Sequence, residues 1–191
     1  VLRRRGQAVG WAYLREGCVR IEAGDLEAGV GAARRLGLDA ALQLFAMGKV
    51  RTPWLCWMDA DADYPAAYFR MPPGPPATWV ASFFHVPEQP VISPTTLEFD
   101  TWLYYECAGL WAAEASLSVP HLGSLVACHG AVYASVRGVP EPVAGEDFHF
   151  LNKASKVAPL ALRDGVRVRL TARERVRTPF GTAASLQARR S

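Results

Sequence analysis

Apolar residues recur at spacings of three and four along residues 28–48, with charged residues between them. This spacing is that of one face of an α-helix, and Gly48 is of a residue type that commonly ends one. The pattern therefore predicts a helix over 28–48. Its predicted apolar face consists of Val30, Ala33, Leu36, Ala40, Ala41 and Leu44.

Three further segments carry patterns typical of strands. Residues 50–58 finish with a short apolar run that contains two tryptophans and stops at Asp59. Such a run is typical of a strand buried on both faces in the parallel part of an α/β sheet. Residues 77–86 also predict a strand. Residues 163–170 predict a half-exposed one, because apolar residues alternate there with arginines. The apolar positions of that alternation are Val166, Val168 and Leu170.

Helices are predicted over 98–115 and 147–156, whereas four prolines and a glycine make 71–79 a loop. Because helices alternate with buried strands, we expect an α/β layered domain. The length fits a single domain over 1–191, in which 1–27 is assigned to no clear element.

The composition narrows the class of protein. Half of the 191 residues are hydrophobic, 20% are charged, and the formal net charge is +3. This mixture is too apolar for a disordered chain and too charged for a membrane bundle, and the charge excess is too small to indicate nucleic acid. The uncharged stretch 115–136 contains Pro120 and two histidines, so we expect buried core rather than a membrane span. We expect no secretory signal peptide, and four cysteines without metal-ligand spacing suit a reducing cytoplasm.

Three aspartates alternate directly after the first apolar strand, at Asp59, Asp61 and Asp63. Ligands of open α/β sheets gather beyond the carboxyl ends of strands, and alternate carboxylates there can share a hard divalent cation. A calcium-binding EF-hand loop is excluded, because Tyr64 stands where glycine is needed and Arg70 where glutamate is needed. A solvated acidic turn remains the alternative.

Two more polar segments are candidates for chemistry. Glu146 and Asp147 follow Gly145 at the start of a predicted helix, where the helix dipole alone also favours acids. A series of arginines begins in the last predicted strand; guanidinium groups suit phosphate oxygens, although a run of charges is also typical of a solvated face. The series consists of Arg163, Arg167, Arg169, Arg173, Arg175 and Arg177.

In this order, the segments resemble glycosyltransferase family 2 proteins over residues 28–185. The resemblance is carried by GVGAARRLGLDAAL, by an apolar strand ending in DAD, by GSLVACHGAVYASVRGVPEPVAGEDFHFLNK and by RVRTPFGT. It implies the GT-A fold, a Rossmann-like α/β layered domain with a central, mostly parallel sheet flanked by helices. The strand and turn that hold the nucleobase in that family have no counterpart in 1–27, so we expect either an abbreviated half-site or an incomplete chain.

The resemblance also implies roles for individual residues. Asp59 would bind the ribose of the nucleotide and, together with Asp61, a Mg²⁺ or Mn²⁺ ion. Asp147 would act as the general base, with Glu146 beside it. The family gives no role to Asp63. Basic residues that would hold the donor are Arg34, Arg173, Arg175 and Arg177.

We therefore expect an inverting, metal-dependent glycosyltransferase that moves a sugar from a UDP- or GDP-sugar to the hydroxyl of a saccharide or lipid-linked acceptor. A lipid-linked acceptor would bring this cytoplasmic protein into peripheral contact with the inner face of a membrane. One alternative is a haloacid-dehalogenase-type phosphohydrolase with Asp59 as nucleophile and Asp61 as acid/base, a family that expects Thr or Val where this chain has Asp63. Another is a degenerate GT-A domain that only binds its ligand.

Overall fold

The structure is a computed structural model that describes residues 2–4, 7–15, 18–23, 29–87, 94–141 and 145–172. Of the first three ranges it describes the backbone alone. These form strands β1 (Leu2–Arg4), β2 (Gln7–Arg15) and β3 (Cys18–Ala23), which pair antiparallel in the order β1-β2-β3. A small antiparallel sheet therefore occupies the segment in which the sequence predicts no clear element.

The remaining described residues alternate between helices and strands, as the sequence patterns predict. The helices are α1 (Gly29–Ala46), α2 (Pro94–Ala112), α3 (Gly130–Ser135) and α4 (Glu146–Ala154). The strands are β4 (Trp54–Cys56), β5 (Ala62–Asp63), β6 (Thr78–Pro87), β7 (Val126–His129) and β8 (Leu160–Ala172). Short 3₁₀ helices cover Ala66–Phe69 and Gly123–Leu125.

Strands β4 to β8 form one five-stranded sheet in the order β4-β7-β6-β8-β5. Strands β6 and β8 pair in parallel, whereas β4–β7, β6–β7 and β5–β8 pair antiparallel. The α/β class is thus confirmed, but the described sheet is mixed rather than mostly parallel. The reason is that β7 lies between β4 and β6 and runs against both, so these two share a direction without touching. An apolar run indicates burial, but it does not indicate the direction of its neighbours.

The hydrophobic core lies where the sheet meets α2 and α4. Strand β8 alternates as predicted: Val166, Val168 and Leu170 are buried, and the arginines between them are exposed. Phe150 of α4 is fully buried and stands edge-on to Trp57, with ring centroids 4.9 Å apart. This pair joins α4 to the segment that follows β4.

Helix α1 has nearly the predicted extent, and its buried face agrees with the predicted one only in part, at Ala40 and Ala41. Val30 and Ala33 are exposed, contrary to the prediction. The buried residues are Gly31, Ala32, Leu38 and Ala40. The helix is rotated from the expected orientation because Arg34 is directed inwards, toward acidic partners that the local periodicity does not reveal.

Strand β6 pairs with β7 only over Thr78–Val80, and beyond that point side chains of α2 satisfy its backbone. The Tyr104 hydroxyl accepts a hydrogen bond from the N–H of Phe83 (2.8 Å) and donates one to the carbonyl of the same residue (2.9 Å). The Asp100 carboxylate accepts from the N–H of His85 (2.9 Å). Helix α2 thereby replaces a strand along this part of the sheet.

Three cysteines are free thiols within the described part of the chain. Burial raises the pKa of Cys56 and of Cys107 to about 11 and that of Cys128 to about 12. Such thiols stay protonated near neutral pH and are poor nucleophiles. Among the described helices, none is long and apolar enough to cross a bilayer.

His129 gives the fold a pH dependence that can be tested. Its Nδ1 accepts a hydrogen bond from the N–H of Ala131 (3.1 Å) at the start of α3, and burial lowers its pKa. His129 is therefore protonated more easily in the unfolded chain. The stability contributed by its neutral form is fully present above about pH 6.5 and is lost as the pH falls through the lowered folded pKa. His129→Asn keeps a side-chain acceptor at this position and removes the titration. Urea unfolding between about pH 7.5 and pH 5 should show the variant losing less free energy of unfolding than the wild type. Parallel pH profiles would contradict this expectation.

Candidate functional site

The segment containing Asp59 and the turn before β7 meet at one edge of the sheet, where β4 ends and β7 begins. Strand β4 ends three residues before Asp59, and β7 begins two residues after Ser124. Because β4 and β7 are antiparallel neighbours, the end of one lies beside the start of the other. The Tyr64 hydroxyl connects the two segments: it accepts from the N–H of Asp59 (2.9 Å) and donates to the carbonyl of Ser124 (3.0 Å). Burial raises the pKa of Tyr64 to about 12, so the donated proton is retained at neutral pH.

Arg34 joins this edge to the start of α4. Its guanidinium donates to Asp59 Oδ1 at 2.8 Å and to Glu146 Oε1. The side chains of Arg34 and Glu146 are only 13% and 8% exposed, whereas that of Asp59 is 44% exposed. The two acidic motifs therefore share one cation, the Arg34 guanidinium, although Asp59 and Glu146 lie 87 residues apart in the sequence. Charge-assisted hydrogen bonds of this kind are stronger than neutral ones and fix the geometry of the planar guanidinium.

Two glycines provide the space that Arg34 needs. A Cβ added to Gly31 would lie 3.0 Å from the carbonyl oxygen of Pro140 and 3.2 Å from Cβ of Glu146, so glycine lets α1 approach α4 closely. A Cβ added to Gly123 would overlap the Arg34 guanidinium itself. The close approach of α1 to α4 therefore depends on Gly31, and the position of the Arg34 guanidinium depends on Gly123.

The start of α4 separates the two neighbouring acids. Gly145 has φ 72°, in the left-handed region that favours glycine, and it precedes the first helical residue. Glu146 then points into the protein toward Arg34, while Asp147 is half-buried and its Oδ1 accepts from the N–H of Phe148 (2.8 Å). Successive residues of a helix point about 100° apart, so only one of the two acids can share Arg34.

The other aspartates of the alternating motif lie in different surroundings. Asp61 is exposed, and its carbonyl accepts from the hydroxyl of Thr171 (3.0 Å). The carboxylate of Asp63 pairs with Arg169 of β8 at 3.2 Å, on the exposed edge formed by β5. The role that the sequence leaves open for Asp63 thus has a structural answer, a surface ion pair across two strands.

The donor set at Asp59 and Asp61 is compatible with a divalent cation that also binds a phosphate. No cluster of three or more His, Cys, Asp or Glu side chains suited to a metal occurs in the part of the chain that the structure describes. Mg²⁺ needs no such cluster, because it commonly takes one or two carboxylates and completes its shell with water and substrate phosphates. Arg34 occupies one oxygen of Asp59, and 44% exposure of that side chain leaves room for a second ligand.

The sequence patterns identify four residues that the structure brings to one edge or next to it: Arg34, Asp59, Glu146 and Asp147. Tyr64 and Gly123 are missed, because a tyrosine and a glycine carry no distinctive spacing. The only sequence signal for either is position, since Tyr64 directly follows the aspartates. The predicted donor-binding residues Arg173, Arg175 and Arg177 lie outside the described residues.

The buried pair of Arg34 and Glu146 should contribute strongly to stability once one partner is removed. Arg34→Met leaves the Glu146 carboxylate buried without its cation, and we expect the free energy of unfolding to fall by about 3 kcal/mol. Adding Glu146→Gln to Arg34→Met should recover part of this loss, because the double variant no longer buries a carboxylate charge without its cation. A double-mutant cycle by urea denaturation measures the coupling.

The exposed pair of Arg169 and Asp63 is the matched control for that cycle. Arg169→Met should cost less than about 1 kcal/mol, because its ion pair is solvated. Additive effects of Arg34→Met and Glu146→Gln, within about 0.5 kcal/mol, would show that the buried pair is not coupled.

Comparisons of the chain with protein-family models, with curated proteins and with solved structures give no match.

Proposed function

We propose that this protein is a glycosyltransferase of the GT-A type that transfers a sugar from a nucleotide-diphospho-sugar to an acceptor hydroxyl. One observation carries the proposal: Arg34 connects Asp59 of the DAD segment with Glu146 of the GED segment. These are two of the four segments that carry the resemblance to glycosyltransferase family 2, and their acids would have to act on one substrate. The cation that they share brings these acids together, which supports a single site.

On the donor side, Asp59, Asp61 and Arg34 hold the nucleotide diphosphate. A guanidinium has more N–H donors than the two that the carboxylates take, so Arg34 can also donate to a phosphate oxygen. Asp59 and Asp61 would hold a Mg²⁺ or Mn²⁺ ion, which would supply positive charge to the leaving diphosphate. Tyr64 holds the backbone of Asp59 against Ser124, which keeps the carboxylate at the sheet edge.

On the acceptor side, Asp147 takes the proton of the attacking hydroxyl. It is the acid of the GED segment that does not face Arg34, so its charge is not used in the buried ion pair. Glu146 is a positioning residue that fixes Arg34 and, through it, Asp59. A base must lie within hydrogen-bond reach of the acceptor hydroxyl, and the half-buried rim at the start of α4 is accessible to a ligand.

The donor assignment is tested by Asp61→Ala with Asp63→Ala as its matched control. Both variants remove one carboxylate of the same motif, and the Asp63 carboxylate pairs with Arg169 on the edge formed by β5. We expect Mn²⁺ with UDP or GDP to raise the melting temperature of the wild type and of Asp63→Ala, because a ligand that binds only the native state stabilises it. The shift should be lost in Asp61→Ala.

Equal shifts in both variants would refute the metal assignment. Release of phosphate from 4-nitrophenyl phosphate, lost in Asp59→Asn, would instead favour the phosphohydrolase. Nucleotide binding without transfer or hydrolysis of any UDP- or GDP-sugar would favour a domain that only binds.

The acceptor assignment is tested by Asp147→Asn. Asparagine keeps the oxygen that accepts from the N–H of Phe148, so the start of α4 should be preserved. The side chain loses its basicity, and sugar transfer should fall by roughly 10²–10⁴-fold while nucleotide binding is retained. Asp164→Asn, at an exposed position of β8, controls for the loss of one negative charge. Transfer at the wild-type rate by Asp147→Asn would exclude Asp147 as the base.

A further inference from the structure

An exposed aromatic side chain stands directly beside the proposed base. Phe148 is 40% exposed although it is the second residue after the buried Glu146. Its ring centroid lies 5.6 Å from that of His121 and 5.5 Å from that of His149, with interplanar angles of 76° and 71°. Neither imidazole stacks flat on the phenyl ring. Single exposed apolar residues are common, but this one contacts two polar rings and keeps part of its surface exposed.

The segment of His121 places this group at the edge of the candidate site. His121 comes two residues before Gly123, which touches the Arg34 guanidinium, and three before Ser124, which binds Tyr64. Phe148 comes two residues after Glu146, the other partner of Arg34. The same two segments therefore meet first at Arg34 and again at the contact between His121 and Phe148.

We propose that Phe148, His121 and His149 form the binding subsite for the acceptor and that the ring they bind is a pyranose of a saccharide. We call these three residues the aromatic platform. The proposal rests on the proposed function, because it takes the occupant to be the molecule whose hydroxyl Asp147 deprotonates. It goes further by naming the chemical class of that molecule and the residues that select it.

The chemistry of the platform fits a sugar ring better than an alkyl chain. The C–H groups on one face of a pyranose carry slight positive charge and pack against the negative face of a phenyl ring. Its equatorial hydroxyls need donors and acceptors at the rim, and a neutral imidazole supplies one of each. An alkyl chain would gain nothing from the two imidazoles and would have to desolvate them.

Ligand-detected NMR tests the platform without requiring sugar transfer. The probes are methyl β-D-glucopyranoside, methyl β-D-galactopyranoside and methyl α-D-mannopyranoside, each with saturation transferred from the protein. We expect transfer to the ring protons of at least one of them in the wild type. Phe148→Leu should weaken its affinity about tenfold, because it keeps apolar bulk and removes the ring face, whereas Phe148→Tyr should retain binding. His121→Ala and His149→Ala should each weaken it.

Phe84→Leu is the matched control, because Phe84 is 39% exposed on β6 and belongs to no part of the site. It should leave saturation transfer unchanged. No transfer to any pyranoside in the wild type would overturn the proposal, as would equal affinity in Phe148→Leu. Transfer from the protein to the octyl chain alone of n-octyl β-D-glucopyranoside would overturn it in favour of an alkyl occupant.

The melting-temperature shift with Mn²⁺ and UDP or GDP, measured on the same variants, separates this proposal from the proposed function. A shift retained in Phe148→Leu with pyranoside binding unchanged refutes the aromatic platform alone. A wild type that shows no nucleotide shift refutes the proposed function, whatever the pyranosides do.

Discussion

The placement of one guanidinium between two carboxylates is the constraint on which the candidate site depends. Arg34 is nearly buried, and a buried charge is stable only if it is paired and hydrogen-bonded. The ion pairs connect three separate segments: α1 through Arg34, the segment that follows β4 through Asp59, and the start of α4 through Glu146. Two carboxylates and one guanidinium leave a formal charge of −1 on this group of side chains.

The apolar contact beside this ion pair fixes how the two acidic segments are aligned. Trp57 and Asp59 are two residues apart after β4, and Phe150 and Glu146 are four residues apart on α4, so each pair points toward the other segment. The packing of Trp57 on Phe150 therefore aligns the acids with Arg34. The arrangement carries a cost, because the buried indole N–H of Trp57 finds no hydrogen-bond partner among the described residues.

Local patterns predict the elements of this protein better than they predict which way each element faces. Alternation correctly predicts the buried side of β8, because a half-exposed strand reveals its inner face through its own residues. The same approach predicts the buried face of α1 only in part. Arg34 is as polar as any surface residue, and only the distant acids Asp59 and Glu146 explain why it points inwards. The antiparallel partner of β4 is hidden for a similar reason, since strand order is a property of the whole chain.

The acidic motifs could be recognised in the sequence by residue type and spacing, whereas their supports could not, because many residue types provide support. Asp59 and Glu146 stand out by type and position, but Gly123 matters only through the side chain that it lacks. The separation of roles between Glu146 and Asp147 follows from the helix itself. Consecutive helical positions cannot both face Arg34, so Glu146 holds the guanidinium while Asp147 points in another direction and accepts from the N–H of Phe148. A pair of adjacent acids at a helix start can thus commit one side chain to a buried ion pair and direct the other elsewhere.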